Sequence, residues 1–126
     1  MNIKVILPTV FGLILSLSVA AQEFIRADSL RGSITPQRAW WDVMRYDIEV
    51  QPDYEKQFTS GANQITYKVV QEKHPDVMQI DLQEPLVIDR ILFDDATELQ
   101  FKREGNVYWV NTLPQELDSE HTVKIF

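Results

Sequence analysis

Two histidines, His74 and His121, are the side chains best suited to hold a metal or move a proton. Their neighbours do not complete a site. The H-E-x-x-H arrangement places two imidazoles one turn apart on one helix face. Here His74 is followed by Pro75 in a polar stretch, and His121 by Thr122 at the start of an apolar run. The inverted order H-x-x-E-H fails too: Glu120 precedes His121, but Leu117 stands where the first histidine belongs. Two isolated imidazoles do not make a tetrahedral zinc site by themselves. Both therefore read as surface or rim residues.

The nucleophiles are equally sparse. The chain has no cysteine, which excludes thiolate chemistry. Ser60 precedes Gly61 without a G-x-S-x-G elbow. Ser29, Ser33 and Ser119 sit in polar segments with no base in view along the chain. Four glycines never cluster, so no phosphate-cradling loop is present. Asp89, Asp94, Asp95 and Glu98 form the densest group of carboxylates. Hard cations take several such oxygens, but the spacing matches no EF-hand loop, and Asp94-Asp95 reads equally well as a turn. Trp40, Trp41 and Trp109 could stack on sugar rings; large apolar area makes packing the favoured reading. Adjacent Trp40 and Trp41 on one strand would point to opposite faces. No residue is assigned a catalytic, cofactor-binding or metal-binding role.

The elements that would position such groups are strands. Met44, Tyr46, Ile48 and Val50 alternate with Arg45, Asp47, Glu49 and Gln51. This predicts a half-buried strand with one apolar and one wet face, ended by Pro52-Asp53. Phe58 to Gln71 follows, with Ile65, Tyr67 and Val69 in alternation and Gly61 marking a bulge or bend. Val77 to Leu82 is a third run. Leu86 to Phe93 has apolar residues of both parities, Val87, Ile91 and Phe93 against Ile88 and Leu92, and predicts a strand covered on both sides. Leu99–Lys102 and Val107–Val110 bracket Arg103-Glu104-Gly105-Asn106 as a hairpin. Thr122 to Phe126 begins one more strand. The pattern is still apolar at Phe126, so the reading expects the domain to be incomplete at its C-terminal end. About seven short strands at this spacing predict an all-β antiparallel sandwich or open barrel. No window gives a convincing amphipathic helix.

The N-terminal stretch reads differently. A charged start at Lys4, an apolar Val5–Val19 and the small residues of Ser18-Val19-Ala20-Ala21 follow the order of a cleaved secretory signal. A spanning helix wants about 20 apolar residues, and this run is shorter and holds Pro8 and Thr9. Residues 1–21 are thus expected to be a signal peptide, cut after Ala21 or, as the close rival, Ala20. Residues 22–38 read as an extended lead-in and 39–126 as the β domain. The protein is expected to be exported, periplasmic or secreted. The net charge is −7. Such an acidic chain is no nucleic-acid binder, which needs a basic footprint. It is also no electrostatic binder of anionic membranes.

Three segments carry a resemblance. Tyr46-Asp47-Ile48-Glu49-Val50-Gln51-Pro52-Asp53 is similar to the Y-D-L-x-V-x-P-D segment of the aminopeptidase N family of zinc metallopeptidases. Phe58 to Tyr67 resembles that family's F-x-G-x-x-x-I-x-F, and Met78 to Asp89 its strand ending in D-L. The Trp40-Trp41-Asp42 form and the export signal resemble members from Bacteroidetes-type bacteria. The resemblance covers about Arg38 to Phe126 and implies a saddle-shaped N-terminal β domain seated on a catalytic domain. It implies zinc for the full-length protein, with the glutamate of H-E-x-x-H as base on the zinc-bound water and a G-x-M-E-N strand for the free amino terminus. None of these motifs occurs in this chain. The expected role is a non-catalytic domain of an exported aminopeptidase. Its partners would be the catalytic domain of the same polypeptide and, through it, peptide substrates. The rival reading is a free-standing exported β-sandwich that binds sugar or protein. Exposed coplanar tryptophans would favour that rival; a broad uncovered apolar sheet face would favour the domain.

Overall fold

A computed structural model describes residues 25–126. The expected signal peptide, residues 1–21, and the first residues of the expected lead-in lie outside the described residues. The described residues form two short helices, α1 (Arg26–Gly32) and α2 (Pro36–Ala39), and eight strands. The strands are β1 (Trp41–Asp53), β2 (Phe58–Val69), β3 (Val77–Asp81), β4 (Ile91–Phe93), β5 (Thr97–Glu98), β6 (Phe101–Glu104), β7 (Val107–Asn111) and β8 (Glu120–Ile125). They pair antiparallel into a five-stranded sheet, β1-β2-β8-β4-β5, and a three-stranded sheet, β3-β7-β6. The sheets are not closed into a barrel, so the all-β sandwich expectation holds.

Alternation explains the core. Ile65, Tyr67 and Val69 of β2, Val123 of β8, and Ile91 and Phe93 of β4 point inward from the larger sheet. Met78 and Ile80 of β3 meet them with Tyr108 and Val110 of β7. Trp40 closes one end, fully buried, with its Nε1–H donating to Val77 O at 3.0 Å. The expected hairpin is present: Glu104 pairs with Val107 across a two-residue turn. Gly105 opens that turn at φ +59°, which suits glycine at the first central position of a type II′ turn.

The lead-in is not extended. Seven residues are too few to show a period or to stand as an isolated helix. Tertiary bonds hold α1 instead. The Asp28 carboxylate accepts the Ile25 N–H at 3.1 Å at its start. At its end, Leu30 O accepts from Arg38 Nη2 at 2.8 Å and from Gln79 Nε2 at 3.2 Å. Gln79 is buried on the outer face of β3; its Oε1 takes the Thr35 hydroxyl at 2.6 Å and its Nε2 also reaches Asp81. Arg38 pairs with Asp81 as well. Pro36 opens α2 with a φ suited to a first turn.

A second expectation is corrected between Leu86 and Phe93. Only Ile91–Phe93 is strand. Leu86 N–H turns back to Gln83 O, and Asp89 N–H donates to Phe126 O at 2.7 Å. The segment is an irregular approach, so parity does not apply to it: Ile88 and Ile91 are both buried while Val87 is exposed.

Candidate interaction surface

β1 and β2 run for 13 and 12 residues, and β2 lies within the expected Phe58–Gln71 run. Their register runs from Trp41↔Val69 to Asp53↔Phe58. A bulge interrupts it between Val43 and Arg45, leaving Met44 without a partner residue. Directly opposed residues share a face. Trp41 and Val43 face the same side as Val69 and Tyr67, and after the bulge Tyr46, Ile48 and Val50 face that side with Ile65, Asn63 and Gly61. Odd and even positions thus share one face because one residue is inserted.

Beyond the core, this hairpin continues as an amphipathic ribbon. One face carries Tyr46, Ile48, Val50 and Pro52 opposite Ile65, Asn63, Gly61 and Thr59, without a single charge. The other carries Arg45, Asp47, Glu49 and Asp53. The apolar face was expected to be buried and is not: Tyr46, Ile48 and Val50 are 55%, 67% and 61% exposed. The three-stranded sheet that covers its base stops short of it. Gly61 marks close approach rather than a bulge, since a Cβ there would lie 2.1 Å from Glu49 O.

Where ribbon and sandwich meet, a cleft of about 440 Å³ opens between the sheets. Trp41, Val43, Ile65, Leu82 and Ile125 line it, with Tyr46 and Asn63 on the ribbon side. Asn63 Oδ1 is shut from solvent and has no hydrogen-bond partner. Contiguous exposed apolar area of this kind makes the ribbon face a candidate interaction surface.

The histidines take up structural positions. His74 stacks on Trp40 at 4.2 Å and 11°, with Nδ1 3.0 Å from Pro75 O. His121 does meet a serine, against the sequence expectation for Ser119. Asp94 Oδ2 lies 2.8 Å from His121 Nδ1, and His121 Nε2 lies 3.0 Å from Ser119 Oγ. This is an acid–base–hydroxyl chain of the triad type. The Ser119 hydroxyl donates to Glu116 O at 2.6 Å, so its one proton is committed to the backbone rather than to the imidazole. Asp94 Oδ1 also takes Thr122 N–H at 2.7 Å. The chain fastens the start of β8 to the β4–β5 turn. Asp94 and Asp95 form that turn, with φ of 46° and 57°.

The tryptophans do not form a platform. Trp40 precedes β1 in a helical conformation, so it and Trp41 both pack on the core instead of opposing each other. Trp41 Nε1–H donates to Gln37 O at 3.0 Å. Trp109 lies on the outer face of β7, donating to Glu104 Oε2 at 2.9 Å. Arg26 of α1 grips the same carboxylate. These two hydrogen bonds, Arg26 first, hold the Glu104 carboxyl down at about 2.

No family model matches the chain, and no curated protein matches it in sequence. In three dimensions it is similar to native leukotriene A4 hydrolase from Saccharomyces cerevisiae, with a TM-score of 0.54 and 20% identity. The match covers 68% of this chain and 14% of that one, so the chain spans a small fraction of that protein's length. The likeness is one of fold.

Proposed function

We propose that this chain is the N-terminal, non-catalytic β domain of an exported zinc aminopeptidase. The observation that carries the reading is the uncharged ribbon face left uncovered beside a complete core, as expected of a domain that seats a partner. The fold likeness supports it, because leukotriene A4 hydrolase belongs to the same zinc-peptidase family as aminopeptidase N. The first two resembling segments fall on β1 and β2 and the third begins on β3, in the order the family has them. The domain would flank the cleft of a catalytic domain and restrict access to peptides with free amino termini.

In this reading the zinc is held by the catalytic domain. His74 and His121 are engaged with other groups, and among the described residues no three His, Asp or Glu side chains come together. No catalytic step is assigned to its residues. The sugar-binding rival gains nothing from tryptophans that are buried or on different faces.

Reading the coding DNA past Phe126 tests the proposal. A frame that runs on into G-x-M-E-N and H-E-x-x-H supports it. A stop codon directly after Phe126 overturns it.

A further inference from the structure

We infer that His121 is held with a proton on both ring nitrogens, as an imidazolium that clips the start of β8 to the β4–β5 turn, and that losing one proton reverses the Ser119 hydroxyl and loosens the clip. Asp94 fixes the state of Nδ1. Its Oδ1 accepts the Thr122 N–H at 2.7 Å, and its Oδ2 lies 2.8 Å from His121 Nδ1. An ionised carboxylate can only accept, so Nδ1 donates. Ser119 fixes the state of Nε2. Its Oγ lies 2.6 Å from Glu116 O and 3.0 Å from Nε2. Two oxygens that close need a proton between them. The carbonyl has none, and the hydroxyl has one. Oγ therefore turns a lone pair to the ring, and Nε2 donates as well. A neutral ring, with one N–H, cannot satisfy both contacts. His74 makes no such demand. Its nitrogens lie 3.0 Å from Pro75 O and 3.4 Å from Gln115 O, with no carboxylate, and donation from Nδ1 alone suffices at those lengths.

The ring sits opposite Tyr67 of β2 and beside Phe93 of β4. The titratable groups on the elements around it are Tyr67 and Lys68 of β2, Asp94 and Asp95 of the turn, and Glu116, Asp118 and Glu120 at the entry to β8. Burial pushes the Tyr67 phenol up, so it stays neutral, and its O–H donates to Gln115 Oε1 at 2.7 Å. Lys68, the one base among these groups, is paired with Asp118 at 2.7 Å. Asp94 is thus the charge bonded to the ring.

Deprotonation has one inexpensive outcome. The Nδ1–H bond to Asp94 is charge-assisted and is the stronger of the two, so Nε2 gives up its proton. The histidine side chain is 21% exposed, which gives that proton a route to water. Bare Nε2 then faces a lone pair of Oγ. The Ser119 hydroxyl resolves this by swinging its proton from Glu116 O to Nε2. Glu116 O is left with the Ser119 N–H at 3.2 Å. The same segment is tied to the end of β2, through Asp118 N–H to Val69 O and Val69 N–H to Ser119 O, both 2.9 Å. Acid closes the clip and base loosens it.

The test is a titration of the purified, ¹⁵N-labelled protein from about pH 5 upward until His121 deprotonates, through the range where histidines change charge. Ring nitrogen shifts show which nitrogen gives up its proton. The Leu117 amide reports on the Glu116 carbonyl of the same peptide. At the acid end, each ring N–H of His121 should exchange with water about threefold to tenfold more slowly than in the urea-unfolded chain, the worth of one net hydrogen bond. As pH rises, Nε2 should lose its proton while Nδ1 keeps it, and the Leu117 amide should shift with the same midpoint. In Ser119→Ala that Leu117 shift should be lost while His121 still titrates. An unprotected Nε2–H at the acid end overturns the imidazolium. Loss of the Nδ1 proton instead, or a Leu117 amide that stays still while His121 titrates, overturns the reversal. A Leu117 shift retained in Ser119→Ala overturns it too, and the wild-type readings decide alone if that variant does not fold.

Discussion

The two ends of the β1–β2 hairpin have the same alternation and opposite surroundings. At the base, Trp41 and Val43 pair with Val69 and Tyr67 over a closed core. At the far end, Ile48 and Val50 pair with Asn63 and Gly61 and face solvent. Alternation reports which face is apolar; a second layer decides whether that face is dry. Here β3 and β7 supply that layer at the base. Nothing among the described residues does so at the tip.

Substitutions can break this comparison. Trp40→Ala at the base should cost about 3–5 kcal/mol, as for other large buried aromatics, measured by urea unfolding. A loss under about 1 kcal/mol would mean that the closed end is not the stability centre. Gln79→Ala leaves the Thr35 hydroxyl without its acceptor and Leu30 O with Arg38 alone, and should cost about 1–3 kcal/mol. Circular dichroism at 222 nm should weaken with it, since α1 and α2 dock through this residue. At the tip, Ile48→Ser should change stability by no more than about 0.5 kcal/mol. A larger loss would show that the ribbon face is covered in the isolated protein.

Acid gives a smaller local effect. The Glu104 carboxyl is lowered from its ordinary 4.5 to about 2, first by Arg26 and then by Trp109. A depressed carboxyl lends its stabilisation above the ordinary value and loses it as pH falls through the lowered one. Trp109 fluorescence should therefore change between about pH 4.5 and 2, and Glu104→Gln should flatten that change. An unaltered profile in the variant would separate α1 docking from this ion pair.

The legible parts of the fold were those set by neighbours in sequence. Gly105-Asn106 announced a hairpin because the turn itself demands glycine. The run from Tyr46 to Val50 announced a strand, and Val77 to Leu82 another. What stayed hidden depends on distant contacts. α1 is held by Gln79, 49 residues from Leu30. Asp94 and His121 are 27 residues apart and met only through the β4–β8 pairing. The cleft needs Asn63 of β2 opposite Ile80 of β3, on the other sheet, which no single strand pattern reveals. Leu86 to Val87 looked like strand because apolar residues were counted without the backbone that turns at Gln83.

The bulge at Met44 has an evolutionary corollary. The strand is written in two reading phases, odd before the insertion and even after it. Deleting Met44 alone would merge them into one unbroken alternation of Trp41, Val43, Tyr46, Ile48 and Val50. Deleting any single residue between Asp47 and Gln51 would instead turn part of the charged row toward the cleft. Length variation among descendants of this sequence should therefore gather at positions 43 to 45, where a codon can be lost without exchanging the two faces of the ribbon.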